Sequence, residues 1–266
     1  MELNISIIGA GNVGWHLAYN LYKKGYHILQ IFSRSFENAS VLAKNVNAEP
    51  INSLSKLNKS ADIIIICVKD SAISKVVDKI EFQPKLLVHT AGSISMSILS
   101  KYKSHGVFYP LQSFSKTTEL NIKTVPFCIE ANTQANKKTL LAVATKLSGL
   151  IYEINSEQRL QCHIAAVFAN NFANHMFAIA EQLLAKNDIS PDIIKPLIIE
   201  TAHKVQHTPA LLAQTGPAIR NDKNTIKRHI ELLQLPQLKK LYSFVSDSIL
   251  NFKIGNLPLN NKNEQL

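Results

Sequence analysis

The 266-residue sequence has no run of about 18 apolar residues, so it predicts no transmembrane helix. Residues 1–20 lack a basic start followed by an apolar stretch, and we therefore expect no signal peptide. The three cysteines, Cys67, Cys128 and Cys162, match the spacing of neither a disulfide framework nor a metal site. These absences predict a cytoplasmic protein without a bound metal, whose cysteines are small buried apolar side chains.

Arginine is scarce as well, because only four of the 29 basic residues are arginines. The net charge of +10 is the single feature that favours nucleic-acid binding, and this function has less support in the sequence than the others. The lysines are spread along the chain rather than clustered beside aromatic residues, so we expect neither nucleic acid nor a membrane as a partner. The positive charge would still attract an anionic cofactor.

Glycine is also uncommon, yet three of the nine glycines lie within six positions, directly after an apolar segment. In this G-x-G-x-x-G pattern Gly9 permits a tight turn, Gly11 lets backbone approach a pyrophosphate, and Gly14 lets a helix pack on the preceding strand. We expect that strand over 3–8 and the helix over 12–24. The pattern predicts a dinucleotide bound by Gly9, Ala10, Gly11, Asn12, Val13 and Gly14.

The end of the second predicted strand, 27–33, indicates which dinucleotide binds. NAD-selective proteins place an acidic residue there to bind the ribose hydroxyls. This sequence instead has an arginine between two serines, a set of donors that suits the 2′-phosphate of NADP. We therefore predict NADP as the cofactor, held by Ser33, Arg34 and Ser35; the alternative is a solvated arginine at a strand end.

Predicted strands and helices alternate up to about Asn155, a pattern typical of a doubly wound sheet with right-handed crossovers. The apolar run 62–68 predicts a central parallel strand covered on both faces. Beyond Asn155 only helical patterns occur, the longest over 157–186. We therefore predict an α/β fold in which an N-terminal Rossmann domain, 1–154, is followed by an all-α C-terminal domain, 155–266.

Ligands of doubly wound sheets lie beyond the carboxyl ends of the strands, where polar side chains follow three predicted strands. The third of these segments, 108–114, places Tyr109 and Gln112 on a loop stiffened by proline. For each polar residue the alternative is capping or loop packing. The other two segments add four candidate cofactor-binding residues, which are Val68, Lys69, Asp70 and His89.

The predicted long helix carries three asparagines within five positions, although asparagine is a poor helix former. At helical spacing His163, Asn170 and Asn174 share one face, with Asn171 beside it. This polar face fits a substrate cleft or, equally, a contact between helices or subunits. The candidate proton donors are His89, Tyr109 and His163, in that order, and the candidate substrate-orienting residues are Asn170, Asn171 and Gln112.

With these residues the chain resembles the 6-phosphogluconate-dehydrogenase-like superfamily, and within it the Rossmann-like NADP oxidoreductases whose C-terminal half is a domain of unknown function. The resemblance covers nearly the whole chain. It is carried by five segments, which are Gly9–Gly14, His89–Gly92, Tyr109–Phe114, Ala165–Asn171 and Thr215–Asp222, the last followed by His229.

The resemblance implies an NADP-dependent oxidoreductase that transfers hydride between NADPH and a small C=O or C=N substrate, and it implies a homodimer. The β-hydroxyacid dehydrogenases of the superfamily carry an acid/base lysine three residues before an asparagine that matches Asn170, where this sequence has Val167. Two alternatives therefore stay open. One is a non-catalytic NADP-binding sensor or scaffold, and the other is an imine reductase similar to pyrroline-5-carboxylate reductase.

Overall fold

The computed structural model describes residues 3–254, in which eight strands form one sheet of order β3-β2-β1-β4-β5-β6-β7-β8. All neighbouring strands are parallel except β6 and β7, which are antiparallel. The strands are β1 (Asn4–Ile8), β2 (His27–Phe32), β3 (Glu49–Ile51), β4 (Ile63–Ile66), β5 (Leu87–His89), β6 (His105–Pro110), β7 (Phe127–Ala131) and β8 (Ile151–Glu153).

Helices connect the parallel strands and then follow the sheet without further strands in the described residues. The change of direction in the strand order lies between β1 and β4, which is where doubly wound sheets bind ligands. The predicted fold class is thus confirmed. The helices are α1 (Asn12–Lys23), α2 (Phe36–Asn45), α3 (Asp70–Asp78), α4 (Gln134–Leu147), α5 (Ser156–Ala166), α6 (Ala173–Ala185), α7 (Lys195–His207), α8 (Ala210–Ala213), α9 (Lys223–Leu232) and α10 (Pro236–Ile254).

Strand β4 shows how the sequence builds two apolar layers. Ile63 and Ile65 pack into one buried cluster, whereas Ile64 and Ile66 pack into the other. Because successive side chains of a strand point to opposite faces, an unbroken apolar run is buried on both sides of the sheet. This is the arrangement that the run 62–68 predicted.

The sequence prediction missed two details. The short strand β3 was not expected, because its three residues include Pro50 and it pairs only at the edge of the sheet. The helix predicted over 157–186 is not one regular α-helix, since residues Val167–Phe172 between α5 and α6 form a π-helix. The wider turn changes which side chains share a face.

Backbone contacts divide the chain into a first unit, residues 1–175, and a second unit, residues 176–266. The domain boundary between 154 and 155 stays a prediction. Within the described part of the second unit, Ala218 and Ser246 are the two buried residues. None of the described helices is long and apolar enough to cross a membrane.

Candidate active site

The glycine turn after β1 is shaped by close backbone approach. Gly9 has a φ of +122°, and a Cβ there would lie 2.3 Å from the Cys67 carbonyl oxygen. A Cβ on Gly14 would lie 1.9 Å from the Gly9 carbonyl oxygen, whereas a Cβ on Gly11 would meet nothing within 4 Å. Gly9 and Gly14 are therefore required for packing, and Gly11 faces the open space that a pyrophosphate needs.

The N-terminus of α1 is open to an anion. Its N-cap, Gly11, provides no side-chain cap, and the first turn holds no acidic residue. The free backbone N–H groups and the positive end of the helix dipole both favour a phosphate. The turn and helix thus fit a dinucleotide pyrophosphate.

The predicted 2′-phosphate site lies at the end of β2. Arg34 is exposed, which leaves its guanidinium accessible to a ligand. The Ser35 hydroxyl caps α2 by accepting a bond from the Asn38 N–H at 3.3 Å, and it keeps its own hydrogen for a phosphate. The role of Ser33, Arg34 and Ser35 in binding stays a prediction.

The loops after β4 and β5 are joined to each other beside the glycine turn. Val68 lies 3.3 Å from the position of a Cβ on Gly9, and the Ser93 hydroxyl donates a short hydrogen bond to the Asp70 carboxylate. Lys69 precedes the first residue of α3. Val68, Lys69 and Asp70 therefore lie at the carboxyl end of β4 beside the glycine turn, and their role in binding the cofactor stays a prediction.

Tyr109 and His163 form a side-chain pair that joins β6 to α5. The Tyr109 Oη lies 3.1 Å from His163 Nδ1, and their rings meet edge to face with centroids 6.2 Å apart. The backbone of Gly92 packs against both, because a Cβ there would lie 2.7 Å from His163 Nδ1 and 2.8 Å from Tyr109 Cζ. Burial raises the pKa of Tyr109 to about 12, and neighbouring Cys128 and Asp70 add to the shift, so the phenol keeps its proton at neutral pH.

A cavity of about 630 Å³ opens beside this pair. It brings together five of the six predicted catalytic residues, although they come from segments about 50 positions apart. Cys162, expected to be a buried apolar side chain, is only half-buried and also lines it. The five are Tyr109, Gln112, His163, Asn170 and Asn171.

The π-helix forms one wall of the cavity. Val167, Asn170 and Asn171 line it, but Asn174 does not, in contrast to the face expected from regular helical spacing. A π turn holds more residues than an α turn and therefore rotates the residues that follow it. Such turns occur frequently at functional sites, in agreement with the position of this one.

His89, the first proton donor named from the sequence, does not line this cavity. Its side chain is fully buried, and Nδ1 accepts a bond from the Ala91 N–H at 3.2 Å. Burial lowers the pKa of His89 to about 3 and the Arg159 guanidinium acts in the same direction, while the Ser95 backbone opposes them in part. Among the described residues Nε2 has no hydrogen bond of good geometry. The ring is therefore neutral and enclosed, and its role stays a prediction.

Sequence reasoning missed a buried arginine behind the site. Arg159 is 1% exposed and donates to the carbonyl oxygens of Ala91 and Ile94, to the Ser156 hydroxyl, and in a short ion pair to Glu130. It thereby holds the loop that contains Gly92. The sequence offered one indication of it, namely that Arg159 is one of only four arginines in the chain.

Comparison with known proteins gives two family matches. Residues 4–93 match the family described as "NADP oxidoreductase coenzyme F420-dependent", and residues 125–249 match "Domain of unknown function (DUF2520)". A curated relative named "Probable 3-hydroxyisobutyrate dehydrogenase, mitochondrial", from Dictyostelium discoideum, is 38% identical over 73 residues. That match covers 27% of this chain and 22% of the relative.

Solved structures match over nearly the whole chain. A "putative NADP oxidoreductase" from Bacteroides fragilis is 43% identical, with a TM-score of 0.89 and coverage of 94% of this chain and 98% of that one. A 1-pyrroline-5-carboxylate reductase from Streptococcus pyogenes (TM-score 0.62; 94% and 97% covered) shares the fold at 17% identity. So does an imine reductase from Myxococcus stipitatus in complex with NADP⁺ (TM-score 0.57; 93% and 92% covered), also at 17% identity.

The fold, the glycine turn and these matches define an oxidoreductase built on a dinucleotide-binding sheet, with NADP as its cofactor. The chain belongs to the NADP oxidoreductase family of the Bacteroides fragilis protein, which it matches at 43% identity over 94% of its own length. The resemblance identified from the sequence motifs is thus confirmed.

Proposed function

We propose that the chain reduces a small C=N or C=O compound in the cavity beside Tyr109 and His163, or catalyses the reverse oxidation. NADPH, when bound, supplies the hydride to the substrate carbon. The observation that carries this proposal is the convergence of a protonated phenol, an imidazole and three amides on one cavity. The imine reductase and pyrroline-5-carboxylate reductase neighbours favour C=N as the acceptor.

In this proposal Tyr109 donates a proton to the substrate nitrogen or oxygen. His163, with a proton on Nδ1, donates to the Tyr109 oxygen and stabilises the phenolate that remains. Gln112, Asn170 and Asn171 hold the heteroatom through hydrogen bonds that strengthen as charge develops. The hydride and the proton together convert the double bond into an amine or an alcohol.

The test is turnover of NADPH with pyrroline-5-carboxylate, other cyclic imines and small ketones. We expect Tyr109→Phe to lower kcat/KM by about 100-fold, because the proton donor is lost. His163→Gln should give a smaller loss, and Tyr152→Phe, at an exposed tyrosine, should change nothing.

Two results would count against this function. Unchanged turnover in both Tyr109→Phe and His163→Gln would remove the proton-donor assignment. No turnover on the whole panel, from a protein whose Tm NADPH raises, would favour the sensor or scaffold instead. The cavity-lining Val167, at the position of the missing acid/base lysine, is the observation behind that second function.

We further propose that the protein acts as a homodimer in the cytoplasm. Large apolar side chains are exposed on the second unit, among them Leu212 at 75%, Phe244 at 74% and Ile199 at 70%. Exposed apolar surface of this extent is typical of subunit interfaces. The three cysteines are all free thiols, as in a reducing compartment.

A further inference from the structure

The loop after β6 connects the catalytic cavity to the helix of the glycine turn. Gln112 and Ser113 line the cavity, and the next residue, Phe114, accepts a hydrogen bond at 2.9 Å from the side chain of Asn12 at the start of α1. We call residues 111–117 the strap. It runs from the cavity lining to the surface of α1.

His16 gives the strap a second attachment to α1. Its Nε2 lies 2.8 Å from the Ser115 carbonyl oxygen, so Nε2 carries the hydrogen and donates it. The rings of His16 and Phe114 are 5.4 Å apart, and His16 is buried. The two attachments fix consecutive strap residues on the helix that would face the phosphates.

The strap places a lysine beside the first turn of α1. The Lys116 Nζ lies 5.3 Å from the centre of the Trp15 ring. The backbone N–H of Trp15 donates to the Gly11 carbonyl oxygen at 2.8 Å, so Trp15 belongs to the first turn of the helix. A side chain about 100 positions away in the chain therefore places an ammonium group over the ring of Trp15, a residue whose backbone belongs to the first turn of α1.

An anion bound at the N-terminus of α1 would be favoured both by the helix and by the nearby ammonium group of Lys116. The N-terminus of a helix carries partial positive charge, and α1 has neither an acidic residue nor a side-chain cap to balance it. By contrast, Ser35, Thr133 and Asn155 cap the N-termini of α2, α4 and α5.

We propose that Lys116 binds the pyrophosphate of NADP, and that the strap is therefore part of the cofactor site as well as of the catalytic cavity. Lys116 adds a cation to the backbone N–H groups of the glycine turn. Because Gln112 and Ser113 belong to the same strap, the bound phosphate also steadies the cavity wall that contains them.

The test uses NADPH alone and the fluorescence of Trp15, the single tryptophan of the chain. We expect Lys116→Gln to raise the Kd for NADPH about fivefold, a change typical of an exposed charge pair. The salt dependence of binding should also become weaker, whereas Lys116→Arg should bind like the parent. Lys123→Gln, at another exposed lysine of the same region, is the matched control.

Adenosine 2′-monophosphate separates a pyrophosphate contact from a general effect of charge or folding, because it carries the 2′-phosphate without a pyrophosphate. Its affinity should be equal in the parent and in Lys116→Gln. The proposal is overturned if Lys116→Gln binds NADPH like the Lys123→Gln control. It is also overturned if both ligands weaken to the same degree.

Discussion

The spacing of the Tyr109–His163 pair depends on a single residue without a side chain. Gly92 belongs to the loop held by Arg159 and packs against the two rings, and its φ is not in the left-handed region. Glycine is needed there for close approach rather than for backbone conformation. A methyl group at position 92 should therefore disturb packing without straining the backbone.

We expect Gly92→Ala to destabilise the protein by about 1–3 kcal/mol, because its methyl group would lie within 3 Å of both rings. Moving the rings apart should also lengthen the 3.1 Å contact between Tyr109 and His163 and lower any turnover that depends on it. Urea unfolding measures the first effect, and NADPH-dependent kinetics the second.

Gly149→Ala is the matched control, because a Cβ at Gly149 meets nothing within 4 Å. Alanine gives the unfolded chain less conformational freedom than glycine does. The stability of Gly149→Ala should therefore be unchanged or higher by up to about 1 kcal/mol. Equal stability of the two variants would show that the packing around Gly92 is looser than the structure has it.

Residues with a local signal could be predicted from the sequence, and those with only distant partners could not. The glycine turn follows a fixed spacing, and Tyr109 and Gln112 follow a predicted strand. Arg159, by contrast, contacts Ala91 and Glu130, which are 68 and 29 positions away. No periodicity marks such a contact, since it exists only once the sheet has brought the loops together.

At the scale of elements, the π-helix Val167–Phe172 combines low helix propensity with a place in the cavity wall. Asparagine stabilises a helix less than alanine by about 0.5 kcal/mol, so Asn170 and Asn171 cost stability. Regular spacing predicted the helix but not its π turn, because the apolar pattern was matched to the 3.6-residue period of an α-helix. Asn174 is exposed but does not line the cavity.

We expect Asn170→Ala to raise the free energy of unfolding by about 0.5 kcal/mol and to lower kcat/KM by about 100-fold. Asn174→Ala, an exposed position outside the cavity, should give the same gain in stability without a loss of activity. Denaturant unfolding and NADPH-dependent kinetics on both variants measure this contrast. A similar loss of activity in both variants would show that the substitutions disturb the helix as a whole, and it would contradict a specific role for Asn170 in the cavity.

At the scale of the whole molecule, the two units differ in how well they bury their apolar residues. The first unit has two large buried clusters on its sheet. The described helices α7, α8 and α9 of the second unit contain no buried residue. Since burial of apolar surface is the main stabilising contribution to folding, this exposure supports the proposal that the second unit packs against a further apolar partner.

A second copy of the chain is the partner that we expect, and light scattering during gel filtration at micromolar concentration should give twice the chain mass. The double substitution Phe244→Ser with Leu212→Ser removes two of the most exposed apolar side chains and should shift the protein to monomer with a lower Tm. Val41→Ser, at a 50% exposed valine of α2, is the control and should stay dimeric. A parent protein that is monomeric and still unfolds cooperatively at an ordinary Tm would contradict the dimer, because the second unit would then be stable without a partner.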